Sequence, residues 1–281
     1  MSAVRLGTRG SALALAQAES VGRALGVDYE LVRITTAGDV DRARGDKSRW
    51  VGALEAALLA GEIDLAVHSA KDVPGELAPG TVIAATPPRA EPFDVLVGER
   101  TLDAVREGAR VGTSALRRRA QLLAARPDLD VHELRGNVDT RMAKRAAGEV
   151  DVLVLAAAGL ARLGRRDEAG AVLKPGVFVP AAGQGVIAVQ ARAGSPSAEA
   201  AAAADHPATH AALDAERAVV RELEASCHTP VGVLAFEGAV RAFVGLPDGS
   251  EHLLEQAPTA AELTSKLLAA GAAELLRAAA P

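Results

Sequence analysis

The chain has 281 residues, a hydrophobic share of 49%, a charged share of 24% and a formal net charge of -5. That length supports two or three domains with sizeable cores. The acidic balance and an aromatic share of only 2% weigh against a nucleic-acid binder, which is usually basic and rich in stacking aromatics. The one cysteine, Cys227, excludes an internal disulfide and argues against a zinc site. With no signal-peptide pattern at its start and no apolar run of spanning length, the sequence predicts a cytoplasmic protein without a membrane segment.

Residues 4–8 predict a strand, and residues 11–25 a helix with Ala14, Ala18, Val21 and Leu25 on one face. Residues 29–35 predict a second strand, Val51, Leu54 and Leu58 mark the next helix, and residues 63–67 predict a third strand. This alternation implies βαβ units and a largely parallel sheet. Thr86-Pro87-Pro88-Arg89 reads as a linker. Beyond it, strands are predicted at 93–97, 110–112, 130–134 and 152–155, with helices at 114–125 and 138–147. Lys174-Pro175-Gly176 and Pro180-Ala181-Ala182-Gly183 punctuate the exit, and residues 186–190 predict one more strand. The Ala-rich stretch 194–207 reads as a second linker or an exposed helix. A helix at 213–223, strands at 231–234 and 239–244, and a last helix opening at Thr259 follow, with Glu262 in capping-box spacing. Two similar α/β lobes and a small C-terminal α+β unit are expected.

Polar residues gather where strands end and helices begin: at Thr8-Arg9-Gly10-Ser11, His68-Ser69-Ala70-Lys71-Asp72, Gly112-Thr113-Ser114, Arg135-Gly136-Asn137 and Gly183-Gln184-Gly185. Ligands of open α/β sheets bind at such carboxyl ends, and helix N-termini there suit anions. If Ser114 caps its helix, Arg117, Arg118 and Arg119 fall in or just beyond the first turn, where each cation is disfavoured by roughly 0.3–1 kcal/mol. An anion bound at that helix end accounts for them; an ordinary charged face is the alternative. Arg9, Arg135 and Arg141 add forks matched to carboxylate or phosphate. Asp72 is placed to stabilise positive charge or to act as acid and base, against a plain Lys71-Asp72 turn. Cys227 beside His228 reads equally as a reactive thiol or as a small buried hydrophobe.

Taken together these stretches resemble the porphobilinogen deaminase (hydroxymethylbilane synthase) family. The resemblance runs in order through Leu6-Gly7-Thr8-Arg9-Gly10-Ser11, His68-Ser69-Ala70-Lys71-Asp72-Val73-Pro74, Val111-Gly112-Thr113-Ser114, Leu134-Arg135-Gly136-Asn137, Ala158-Gly159-Leu160-Ala161-Arg162 and Pro180-Ala181-Ala182-Gly183-Gln184-Gly185. It implies an α/β fold of two periplasmic-binding-protein-like lobes plus a small C-terminal α+β domain. Residues 1–86 with 186–203 would form lobe 1, 91–180 lobe 2, and 208–281 the domain with the cysteine. It further implies a transferase that adds four porphobilinogen units, each losing ammonia, to a dipyrromethane cofactor held by a thioether to Cys227. Hydroxymethylbilane is then released for haem biosynthesis. By position, Asp72 would be the catalytic carboxylate. Lys71, Thr113, Ser114, Arg117, Arg118 and Arg141 would hold the primer. Arg9, Ser11, Arg135, Arg141 and Arg162 would bind incoming substrate or the growing chain, and Gln184 lies in an interdomain motif. A monomer, with porphobilinogen as its small-molecule partner and neither nucleic acid nor membrane, is implied.

The chain departs from the family pattern at Ala115, where a second Ser is usual, and at Ala225-Ser226, where Gly-Gly is frequent. The loop Asp46-Lys47-Ser48-Arg49-Trp50 places Trp50 at an aromatic position, and Asp139 adds a negative charge beside the arginines. A catalytically impaired paralogue, or an anion-binding protein of the same two-lobed architecture, is the competing expectation.

Overall fold

Apolar runs rich in Val, Leu and Ile become strands, and the intervening segments take the helix caps the sequence offers. The computed structural model describes residues 3–36, 48–174, 176, 178–226 and 229–279. Strand β1 (Val4–Thr8) leads into α1 (Ala12–Leu25), whose N-cap Ser11 accepts the Ala14 N–H at 3.3 Å. Then come β2 (Tyr29–Arg33), α2 (Ser48–Leu59) and β3 (Leu65–Ser69), with a single 3-10 turn at Ala70–Asp72. β4 (Thr81–Ala85) is a strand that the pattern does not predict.

The second run holds β5 (Asp94–Val97), β6 (Arg110–Gly112), α3 (Leu116–Ala125), β7 (Asp130–His132), α4 (Val138–Ala146), β8 (Val152–Ala156), α5 (Ala157–Arg162) and β9 (Val172–Leu173). β10 (Ile187–Arg192) and α6 (Pro196–Ala201) follow. The stretch expected to be a linker or an exposed helix is therefore structured, and Ala201 and Ala204 are buried in the first core. α7 (Pro207–Glu222), β11 (Val231–Phe236), β12 (Ala239–Gly245), β13 (His252–Ala257), α8 (Ala260–Ala269) and α9 (Ala272–Ala278) complete the chain. Thr259 caps α8 by accepting the Glu262 N–H.

The first sheet has the order β2-β1-β3-β10-β4 and the second the order β7-β6-β8-β5-β9. Both follow one plan. Three parallel strands come first, then one strand antiparallel to its two neighbours: β10 in the first sheet and β5 in the second. The expected largely parallel sheets are thus mixed. Each antiparallel strand is fed by the connection between lobes, so no βαβ crossover constrains its direction. The third sheet is the antiparallel β11-β12-β13, and α7, α8 and α9 share its core through Val219, Leu263, Leu267 and Leu275.

By contacts the chain divides into two units, Met1–Ala90 with Gly185–Leu213 and Glu91–Gln184 with Asp214–Pro281. The first unit holds the first sheet, and the second holds the other two. Within the second unit Ala120, Val179, Leu234 and Phe243 form one cluster, with Phe93 packed on it and set edge-on to Phe236 at 5.7 Å. Gly232 makes this close approach fit, because a Cβ there would stand 2.4 Å from the Val179 carbonyl oxygen and 3.0 Å from Arg117 Cδ. Gly232→Ala is expected to destabilise the second unit by about 1–3 kcal/mol, read as a lower urea midpoint.

Candidate active site

β1 and β3 are parallel neighbours, so their carboxyl ends share one edge. Arg9 and Ser11 follow β1, while His68 and Ser69 end β3 and Asp72 closes the 3-10 turn after it. Together with Gln17 and Trp50 they line an open pocket of about 70 Å³. The Arg9 guanidinium carbon lies 3.9 Å from the Trp50 ring centroid, a cation–π contact that fixes a charge on the pocket wall. The first turn of α1 borders the same space through Leu13 and Ala14, adding the positive end of a helix. The turn carrying Lys71 and Asp72 is pinned by the Ala70 N–H donating to the Val186 carbonyl and the Val73 N–H to Ala70.

Behind this pocket runs a buried polar chain. His68 Nε2 lies 3.0 Å from Gln190 Oε1, and Gln190 Nε2 donates to Glu55 at 2.8 Å and to Thr81 at 2.7 Å. Burial pushes the His68 pKa down to about 4, against the raising influence of Glu55, so the ring is neutral at physiological pH.

In the second unit, β6 is parallel to both β7 and β8, so the ends of all three meet at one edge. Thr113 is buried there, and its Oγ1 accepts the Ala115 N–H at 3.2 Å. Arg141 on α4 reaches across to donate through Nη2 to Ser114 Oγ at 2.8 Å, and through Nε to the Gly136 carbonyl at 2.9 Å. Gly136 has φ 132°, and a Cβ there would meet Thr140 at 2.7 Å. Asn137 caps α4 by accepting the Thr140 N–H. Arg135 is half-held at the surface by Glu133. Arg162 ends α5, where burial lowers its pKa to about 10 and leaves it charged at neutral pH.

Two expectations about α3 change. The cap position is Ala115 rather than Ser114, and no side chain caps the helix. The anion expected at that helix end is the chain's own Asp94. Arg117 Nη1 donates to Asp94 Oδ2 at 2.8 Å and to the Val179 carbonyl at 2.8 Å. Arg118 donates to Asp94 Oδ1 through Nε at 3.0 Å and Nη2 at 2.7 Å, and through Nη1 to the Val154 carbonyl. Gln184 Nε2 adds a bond to the same Oδ1 at 2.9 Å and one to the Pro92 carbonyl. Arg119 turns instead to the Val131 carbonyl. Burial opposes ionisation of Asp94, but the two guanidiniums outweigh it and hold its carboxyl well below the usual carboxylate range.

The structure therefore gathers Arg9, Ser11 and Asp72 in one pocket of the first unit, and Thr113, Ser114 and Arg141 at one edge of the second. Arg117 and Arg118 lie beneath that second edge. Sequence reading passes over Asp94, Gln17, Gln190 and Glu216. Asp94 carried one signal, a lone charge opening the apolar run Asp94-Val95-Leu96-Val97. Glu216 is fully buried, and it accepts the Gly183 and Ala235 N–H groups at 2.6 and 2.8 Å. Asp139, a departure from the family pattern, is paired with Arg165 at 2.8 Å. Cys227, His228, Asp46 and Lys47 lie outside the described residues. On either side of the cysteine, Ser226 N–H donates to Thr229 Oγ1 at 2.9 Å.

Known proteins match this chain over nearly its whole length. Residues 4–200 match the family model "Porphobilinogen deaminase, dipyromethane cofactor binding domain", and residues 211–277 match "Porphobilinogen deaminase, C-terminal domain". A porphobilinogen deaminase of Roseiflexus castenholzii is 44% identical, covering 98% of this chain and 99% of its own. Those of Rubrobacter xylanophilus and Moorella thermoacetica are 47% and 46% identical, covering 96% and 99% of this chain and 95% and 96% of their own. Among solved structures, immunogenic lipoprotein A from Vibrio vulnificus aligns at a TM-score of 0.43 and 15% identity, over 75% of this chain and 98% of its own.

Asp94→Asn is expected to cost about 3–5 kcal/mol, because two buried guanidiniums lose their counter-charge. The depressed folded pKa means that Asp94 contributes its full stability above the unfolded value of 3.8. That contribution fades as pH falls toward the lower folded value. Acid titration of unfolding should show this limb in the native chain and not in the variant. Ala115→Ser supplies the missing cap of α3 and is expected to raise stability by about 0.5–2 kcal/mol, measured as a higher urea midpoint.

Proposed function

The chain belongs to the porphobilinogen deaminase family, and on that premise we propose which of its residues carry the reaction. The enzyme is a transferase of tetrapyrrole biosynthesis that joins four porphobilinogen units, with loss of ammonia, on a dipyrromethane primer and releases hydroxymethylbilane. The observation that carries the assignment is the meeting of Asp72 with Arg9, Ser11 and a neutral His68 in one pocket.

Asp72 accepts the pyrrole N–H and stabilises the positive charge left on the substrate when ammonia departs. A carboxylate on a pinned turn suits that task, since it is positioned before the cation forms. Arg9 and Ser11 bind the substrate's acetate and propionate, with Arg9 held in place by Trp50. Arg135, Arg141 and Arg162 receive further carboxylates of incoming substrate or of the growing chain.

The residues present fit the primer. Two pyrroles carry four carboxylates, and the second unit offers hydroxyl and guanidinium donors of matching chemistry at one strand edge. We assign Lys71, Thr113, Ser114, Arg117, Arg118 and Arg141 to holding it, with Asp94 keeping Arg117 and Arg118 in place. Cys227, the chain's single thiol, takes the thioether. When bound, the primer would supply the nucleophilic pyrrole carbon for the first addition, each later unit joining the end of the growing chain. Among the described residues no helix is long and apolar enough to cross a membrane. From the acidic balance and the biosynthetic role of the family we propose a cytoplasmic monomer acting on a small molecule, without nucleic acid or membrane.

Purified from a cell that makes porphobilinogen, the chain is expected to exceed its sequence mass by one dipyrromethane, and Cys227→Ser to show the bare mass. Asp72→Asn should keep the primer and lose about 10²–10⁴-fold in kcat, followed as ammonia release. Normal turnover in that variant would overturn the role given to Asp72.

A further inference from the structure

The chain behind the Asp72 pocket determines which nitrogen of His68 carries the hydrogen. Thr81 Oγ1 donates its hydrogen to the Ala78 carbonyl at 2.7 Å, so toward Gln190 it can only accept. The Glu55 carboxylate already accepts the Ala78 N–H at 3.1 Å, and it also faces Gln190. Both directions call for the amide nitrogen of Gln190. Turning the amide over would set its oxygen against two acceptors. Gln190 Oε1 is therefore the atom aimed at His68 Nε2, 3.0 Å away, and Nε2 must donate.

The backbone supports this arrangement. Ala188 sits opposite His68 in the β3–β10 ladder, so Gln190, two residues on, shares the His68 face. The register of β10 against β4 shifts between Val189 and Gln190, the kind of irregularity that re-aims a side chain beside a site. With Nε2 protonated and the buried ring neutral, Nδ1 holds a lone pair. Among the described residues Nδ1 makes no hydrogen bond, and the ring lines the pocket with Ser69 and Asp72.

A lone pair there repels carboxylates and accepts donors. Porphobilinogen has two kinds of donor, the pyrrole N–H and the ammonium of its aminomethyl arm, and Asp72 takes the first. We propose that His68 is a substrate-contacting residue: its Nδ1, fixed as an acceptor by Gln190, takes a hydrogen bond from the ammonium that leaves as ammonia. The inference rests on reading the Asp72 pocket as the substrate site. In the step itself the carbon–nitrogen bond breaks, its electron pair leaves with nitrogen as neutral ammonia, and the positive charge stays on the pyrrole methylene. His68 takes no proton; it orients the breaking bond. Gln190 is a positioning residue acting through His68.

The test uses holoenzyme labelled with ¹⁵N-histidine. At neutral pH the His68 spectrum is expected to show a protonated Nε2 and a bare Nδ1. Porphobilinogen added to Asp72→Asn holoenzyme, where turnover is slow, should shift Nδ1. A hydrogen on Nδ1, or an Nδ1 resonance unmoved by bound substrate, overturns the inference. His68→Phe keeps a flat ring and removes both nitrogens, and with them the lone pair. Among folded molecules it is expected to lower kcat/KM about 10–100-fold, and unchanged kcat/KM overturns the inference. Should that variant fold poorly, the spectra of the unmutated His68 decide alone. Failure of the site reading looks different, since Asp72→Asn would then release ammonia normally.

Discussion

One buried carboxylate organises the second unit. Asp94 receives four N–H bonds from three side chains, two of them guanidiniums at the start of α3 and one the Gln184 amide. Cations in the first turn of a helix oppose its dipole, and buried guanidiniums are costly to desolvate. Neither arrangement would stand without an internal anion. Because Asp94 opens β5, and Arg117 and Arg118 also bond the Val179 and Val154 carbonyls, the cluster ties together β5, β8, α3 and the segment leading out of the lobe. The edge where Thr113 and Ser114 sit inherits its position from these bonds.

The two lobes share one strand plan but present different chemistry at their edges. The first offers a carboxylate, a neutral imidazole and one cation stacked on an indole. The second offers hydroxyls and guanidiniums. This division suits a reaction in which positive charge must form at one place while many carboxylates are held at others. Two departures from the family pattern are mild in the structure. Asp139 pairs with Arg165, a cation it shares with Glu168, so its charge is partly offset. Ala115 leaves a helix uncapped, while Arg141 still reaches Ser114.

Local pattern made much of this visible. The strand at Arg110–Gly112 and the Thr259 cap needed only neighbouring residues, and the strand-end clusters already marked both edges. What escaped depended on distant partners. β13 alternates exposed and half-buried residues and, among the described residues, pairs only with β12, and β4 is a short run between Pro79-Gly80 and Thr86-Pro87. The antiparallel direction of β10 and β5 follows from where the chain crosses between lobes, which no local period encodes. Asp94 is defined by partners 23, 24 and 90 positions away. The tautomer of His68 is set by a residue 122 positions on. Cys227 was singled out by being the only thiol, a matter of composition rather than of structure.

The placement of β10 bears on how the protein comes into being. Ile187–Arg192 is wedged between β3 and β4, yet it is made only after the whole of the second sheet. On the ribosome the first lobe waits with two strand edges unpaired until residue 192 has emerged, while β5 to β9 emerge in one uninterrupted run. Long-range pairing of this kind is slow and exposes open edges meanwhile. The pocket around Asp72 takes shape late in synthesis, because the Val186 carbonyl that pins its turn and the Gln190 that orients its histidine both arrive with that returning strand.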